Sequence, residues 1–216
     1  MLFNIQKQFV LNNRTIIKKI RNLNNNYRFI TFYSQKTDLC VSYKEKKVLG
    51  YPKEYIFKLV KDVQHYKEFV PWCLKSDILS EVNKKQQNAS QGSMDLELPE
   101  SFNARLEVGF PPVKESYISH VTLIKPKIVK TVAIKTTFFE YINAEWKFYS
   151  YDHLTNKLVL KEEADKHYEC CVVEFNVSFK FRSSLYSQFS NLFLDNIFKK
   201  MVGAFIKRAN DLYGGI

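Results

Sequence analysis

The sequence predicts an α+β fold in which a curved antiparallel β-sheet wraps around one long C-terminal helix. Apolar and polar residues alternate along much of Leu74 to Arg182, the period of a strand buried on one side. The clearest runs are Ala104, Leu106, Val108 and Phe110 against Arg105 and Glu107, then Ala144, Trp146 and Phe148 against Glu145 and Lys147. The longest sets Val173, Phe175, Val177, Phe179 and Phe181 against Glu174, Asn176, Ser178, Lys180 and Arg182. A final stretch, SLYSQFSNLFLDNIFKKMVGAFIKRANDLYG, reads as one helix ending at Gly214. One wet and one dry face per strand belongs to an antiparallel sheet packed on one side only.

The first 37 residues stand apart. They hold seven of the 33 basic residues of the chain and none of its 22 acids, so most of the net charge of +11 lies there. Phe9, Ile16, Ile17, Ile20 and Leu23 recur among those cations, the pattern of an amphipathic organelle transit peptide; seven asparagines also fit a disordered extension. The expected division is therefore a leader or extension over 1–37 and one domain over 38–216. No uninterrupted apolar run reaches the ~20 residues that span a bilayer.

CVSYKEKKVLG then reads as a strand closed by Gly50, and YPKEYIFKLVKDV as a helix. Pro52 suits a first helical position, Glu54 the positive end of the dipole, and Ile56, Leu59, Val60 and Val63 one buried face. QHYKEF makes a second short helix that must stop at Val70, because Pro71 pushes its predecessor out of the helical region. In the last helix Phe193, Leu194, Ile197, Phe198, Met201, Val202, Ala204 and Phe205 cover an arc of roughly 180°, wider than the ~100° stripe of an ordinary surface helix. One helix cannot fill the concavity of a strongly curved sheet, so the element order permits a helix-grip architecture with an apolar pocket between helix and sheet.

Catalytic signatures are missing. The four histidines show no HExxH spacing, the four cysteines no CxxC, and no glycine-rich phosphate loop or GxSxG elbow occurs. His65 and Cys73 form a conceivable base and thiol without an orienting partner. Glu107 and Glu145 fall on the wet register. FVPWC at 69–73 and VGFPPVKESY at 108–117 place Trp72, Phe110, Pro111, Pro112 and Val113 at tips, where exposing large apolar groups calls for lipid, a ligand or a partner.

These segments carry a resemblance. VQHYKEFVPWC, LEVGFPPV, EWKF at 145–148 and FRSSLYSQ occur in the order found in the mitochondrial coenzyme Q-binding proteins of the START and polyketide-cyclase superfamily, which the chain resembles from about Ser42 to Tyr213. It departs from that pattern in two polar insertions, around Asn83 to Ser93 and Asp152 to Glu169. The resemblance implies a START-like domain that binds ubiquinone as a lipid chaperone or carrier for respiration and ubiquinone biosynthesis. It implies no catalysis, no metal and no cofactor beyond the bound quinone. The address is the matrix side of the mitochondrial inner membrane, held peripherally, with respiratory or quinone-biosynthesis complexes as further partners. The alternatives are a polyketide cyclase-like enzyme and a ribosome-associated module like those of bacterial relatives; nucleic acid is not favoured.

On this reading the pocket takes Phe69, Val70, Pro71 and Trp72 from the turn. Leu106, Val108, Phe110, Trp146, Phe148, Phe175 and Val177 come from the strands, and Leu194, Phe198, Met201 and Phe205 from the helix. Quinone oxygens accept and do not donate, so Tyr66, Lys125 and Trp146 are the candidate donors. Trp72, Phe110, Pro111, Pro112 and Val113 form a membrane rim, a level that suits tryptophan.

Overall fold

The computed structural model describes residues 15–21, 27–35, 38–82, 99–110, 113–152, 157–159, 169–182 and 191–214. The chain begins with strands β1 (Thr15–Arg21), β2 (Tyr27–Gln35) and β3 (Asp38–Leu49). Helix α1 (Lys53–Lys61), a 3-10 turn (Val63–His65) and helix α2 (Tyr66–Phe69) follow. Then come β4 (Cys73–Val82), β5 (Glu100–Phe110), β6 (Val113–Ile124), β7 (Ile128–Lys135), β8 (Phe139–Asp152), the short β9 (Lys157–Leu158), β10 (Cys170–Phe181) and helix α3 (Asn191–Tyr213). All strands join one curved antiparallel sheet in the order β1-β2-β3-β10-β8-β7-β6-β5-β4, with β9 added to β8.

The predicted class therefore holds, and its curvature has a local cause. Register shifts interrupt the β4–β5 pair at Cys73/Lys75 and Ile78/Ser80, the β6–β7 pair at Ile118/Ser119 and the β8–β10 pair at Lys180/Phe181. Each extra residue bends its strand and increases the local twist.

Within 1–37 the described residues form β1 and β2. TIIKKIR and YRFITFYSQ are rich in β-branched and aromatic residues, which favour a pleated surface over a helix. β2 pairs with β3 from Tyr27↔Lys46 to Gln35↔Asp38, so β3 is an inner strand. The polar insertions and residues 183–190, where the C-terminal helix was expected to begin, lie largely outside the described residues. Pro52 caps α1 instead of opening it, one position earlier than expected, in extended geometry at φ −54° and ψ 143°.

Both longer helices pack on the same side of the sheet. From α3, Ile197, Phe198, Val202, Phe205 and Ala209 are buried, while Asn196, Lys199, Lys200, Gly203 and Lys207 are exposed. From α1, Phe57 meets Phe148 of β8 edge-on at 5.8 Å. The buried polar groups are held as well. Glu115 of β6 accepts from the Phe138 N–H at 3.1 Å in the turn before β8. Ser76, with no exposed surface, accepts from the Lys67 N–H at 3.1 Å and donates to the Gln64 carbonyl at 3.0 Å, fastening α2 and the 3-10 turn onto β4.

Removing that hydroxyl takes the partner from the part-buried Lys67 N–H and Gln64 carbonyl, at about 1 kcal/mol. Ser76→Ala should lower the unfolding free energy by that amount in urea titrations with an unchanged slope; no change would show that the α2 attachment does not depend on Ser76.

Candidate ligand-binding site

The pairing of β3, β10 and β8 sets the interior wall. Phe175 lies opposite Glu45 on one side and Trp146 on the other, so the three side chains form one cross-strand row facing α3. Trp146 packs on Phe175 at 4.3 Å and on Phe205 of α3 at 5.0 Å between ring centroids. Phe205 also receives the edges of Tyr66 (5.2 Å) and Phe69 (5.1 Å) from α2. Two turns back on α3, Phe198 stacks on Tyr43 at 4.7 Å. Among the described residues these rings pack the space between α3 and the sheet.

An apolar cavity remains beside them, bounded by Leu49, Ile56, Val173, Val202 and Ile206 as well as Trp146, Phe175 and Phe205. It offers about 20 Å³ to water-sized spheres, little more than one such body occupies. Pockets for small organic ligands have roughly 300–1,000 Å³. A ring with a tail therefore enters only if side chains or α3 give way.

Of the residues expected to line the pocket, Trp146, Phe175 and Phe205 do so. Phe148 lies under α1, and Val177 and Phe198 are buried beside Tyr43 rather than at the cavity. Phe69 and Val70 belong to the α2 end of the core, with Leu106 and Met201 partly buried against it. Trp72 is partly buried, and Pro71 and Val108 are likewise half-covered, none of them at the cavity. The side chains of Phe110, Val113 and Leu194, and all of Pro111 and Pro112, lie outside the described residues; the backbones of Phe110 and Val113 pair across the hairpin.

Two expected donors are committed elsewhere. Lys125 sits exposed in the β6–β7 turn and donates to Glu100 Oε1 at 2.7 Å, away from the cavity. The Tyr66 hydroxyl donates to the Val60 carbonyl, and burial pushes its pKa up, so it stays a neutral phenol. The polar groups that do border the cavity are Glu45 and Lys47 of β3. Glu45 is 7% exposed, accepts from the Tyr43 hydroxyl, and holds Lys47 Nζ 3.3 Å from Oε1. Taking such a carboxylate out of water costs several kcal/mol unless partners compensate. The signal was present in CVSYKEKKVLG: Val41, Tyr43 and Leu49 share one strand face, and Glu45 and Lys47 fall between them on that face.

The turn at 70–73 answers why Trp72 follows Pro71. The Cys73 N–H bonds to the Val70 carbonyl at 3.2 Å, with Pro71 second and Trp72 third at φ 63°. Proline then positive φ is the type II pattern, whose third place normally goes to glycine. A left-handed residue with a Cβ costs about 1–2 kcal/mol. The Gly109 N–H bonds to the Trp72 carbonyl at 2.9 Å and so locks the turn onto β5. Lys200 of α3 lies 5.7 Å from the Trp72 ring, close enough for a cation–π contact. Beside it, α2 is clasped to α3 by the Arg208–Glu68 ion pair at 2.8 Å, with Arg208 5.4 Å from the Phe69 ring.

A model of the family described as polyketide cyclase / dehydrase and lipid transport matches residues 49–206. The chain belongs to this family. It is 34% identical over 174 residues to the mitochondrial coenzyme Q-binding protein COQ10 homolog B of Xenopus laevis, covering 81% of the chain and 60% of that protein. It is 36% identical over 165 residues to the mitochondrial coenzyme Q-binding protein COQ10 of Drosophila melanogaster, covering 76% and 57%. The chain thus spans less than two thirds of either relative's length. An 18 kDa protein of Caulobacter crescentus, solved in solution, superposes with a TM-score of 0.55 at 23% identity, over 81% of this chain and 99% of that one, a likeness of fold.

Thiol chemistry at the turn is disfavoured. Burial pushes the Cys73 pKa up to about 11, so the thiolate that a nucleophile requires is scarce near neutrality. His65 Nδ1 faces Asp62 Oδ2 at 2.8 Å, which raises its pKa. Among the described residues no group of three His, Cys, Asp or Glu side chains could hold a metal ion. Iodoacetamide at pH 7.5 should modify Cys73 at least about tenfold more slowly than a free cysteine peptide; equal rates would restore it as a candidate nucleophile.

Proposed function

We propose that the chain is a coenzyme Q-binding protein of the mitochondrion: it takes ubiquinone between α3 and the concave face of the sheet, as a carrier or chaperone rather than an enzyme. The observation that carries this reading is the aromatic row around Trp146, Phe175 and Phe205 in a chain whose relatives are named for binding coenzyme Q. Support for respiration and for ubiquinone biosynthesis, with peripheral contact at the matrix side of the inner membrane, belongs to the same proposal. The acid-free basic segment at 1–37 agrees with a mitochondrial address.

The tightness of the interior suits exchange with a membrane. Moving a prenyl tail out of water is favourable by roughly 0.8 kcal/mol per CH₂, but a tail in a bilayer is already dry. Its entry into the protein then replaces ring-on-ring packing with ring-on-tail packing, a nearly balanced trade that lets the ligand leave again. The contact edge is the Trp72 turn together with β4, an edge strand bearing exposed Leu74, Ile78 and Leu79. Large apolar groups exposed together along a strand edge match a lipid surface. No helix among the described residues is long and apolar enough to cross a membrane.

Mass spectrometry of lipids extracted from the purified full chain should find ubiquinone. Val202→Phe fills the cavity from α3 at a cost of about 1–3 kcal/mol, and should cut that content severalfold in a folded protein. Ubiquinone absent from the unaltered chain, or undiminished by Val202→Phe, would count against the assignment. Trp72→Gly relieves the strained turn and removes the ring: the denaturation midpoint should move little while binding to cardiolipin-containing vesicles falls. Unchanged vesicle binding would remove Trp72 from the contact edge.

A further inference from the structure

The ion pair at the cavity has one structural task, since Glu45 accepts from the hydroxyl of the fully buried Tyr43, but that bond occupies only Oε2 of the carboxylate. Glu45 and Lys47 occupy the inward register of β3, the buried carboxylate beside Phe175 and the ammonium opposite Val173. Replacing such a pair by apolar residues of similar volume is often neutral or stabilising, so its presence at a ligand cavity calls for a ligand that uses it. The pair offers two opposite chemistries at one place. Lys47 Nζ donates only, and the Glu45 carboxylate accepts only. Lys47 keeps 30% of its side chain exposed, so it can turn from Glu45 to a ligand without leaving contact with water.

A quinone ring carries two carbonyl oxygens that accept. A quinol carries two hydroxyls that donate as well as accept. Lys47 can serve either form, whereas Glu45 can bond directly only to the reduced one. The apolar neighbours Trp146, Val173, Phe175 and Ile206 discriminate neither.

We propose that Glu45 and Lys47 form the headgroup site of the cavity, and that the buried Glu45 carboxylate makes the site select the quinol over the quinone. This inference rests on the proposed binding of ubiquinone. The tail end of the ligand then lies along Ile56, Val202 and Phe205. A hydrogen bond from a quinol hydroxyl to a carboxylate screened from water is of the charge-assisted kind, and its loss reduces affinity by about tenfold or more.

The test is a fluorescence titration of the full chain with a short-tailed ubiquinone analogue, with the same compound reduced to the quinol by dithionite, and with a branched hydrocarbon of matching tail that carries no ring oxygens. The unaltered chain should prefer quinol over quinone by about tenfold. Glu45→Gln should lose most of that preference while binding the hydrocarbon as before. Lys47→Met, at the more exposed partner, should weaken quinone and quinol alike and serves if Glu45→Gln does not fold. Equal affinity of the unaltered chain for both redox forms overturns the inference and leaves ubiquinone binding standing. A parallel loss of all three ligands in Glu45→Gln, or no loss in Lys47→Met, also overturns it, since the pair would then be structural. No binding of any ring compound to the unaltered chain overturns the functional proposal, and the inference with it.

Discussion

The constraint on which this molecule depends is the volume between α3 and the sheet. Trp146, Phe175 and Phe205 pack into it from three elements, with Tyr43 and Phe198 two turns away, and the cavity beside them offers about 20 Å³ to a water-sized body. Rings and ligand therefore compete for one space. A rigid core of this kind would exclude a quinone; a core closed by one helix and a short clasp can exchange it. The clasp is modest, because the Arg208–Glu68 pair is partly exposed and exposed pairs contribute at most about 1 kcal/mol.

Two local departures from ordinary preference stand out near that space. Trp72 occupies a left-handed turn position better suited to glycine, and Glu45 is a carboxylate in an apolar wall. Each costs free energy in the folded chain, although Glu45 is partly compensated by the Tyr43 hydroxyl and Lys47. Strain and buried charge of this kind gather at functional sites, and the inference runs from the observed outlier to the function. Two other buried polar groups, Ser76 and Glu115, differ because they have backbone groups of neighbouring elements as partners.

Much of this was readable in the residues. One-sided burial imposes period two on the strands, so Ala104, Trp146 and the Val173–Phe181 series announce the buried faces, and the wide apolar arc of α3 announces a helix packed deeply against a concave sheet. The turn after α2 was legible from Pro71 alone. Lining was not, because a register names the face of a residue but not its height along the strand. Phe148 and Phe198 share faces with Trp146 and Phe205 yet pack under α1 and against Tyr43. Glu45 and Lys47 were passed over because charge within a strand ordinarily marks the wet face, and here the wall reverses that rule. Lys125 was drawn in by its chemistry although its turn holds it against Glu100. At the start of the chain, the cations that suggest a leader or extension share their segment with the β-branched and aromatic residues of the strands at Thr15–Arg21 and Tyr27–Gln35.

The central claim is that ligand enters between helix and sheet, beside Trp146, and not at the rim. Trp72 and Trp146 are the two tryptophans of the chain, so Trp72→Phe leaves Trp146 as the sole indole reporter. Titrating that variant with a short-tailed ubiquinone analogue should quench the Trp146 emission saturably, with one quinone per chain at the endpoint. Emission from Trp146 that stays constant while the reciprocal Trp146→Phe variant is quenched at Trp72 would place the ligand on the surface and contradict the account.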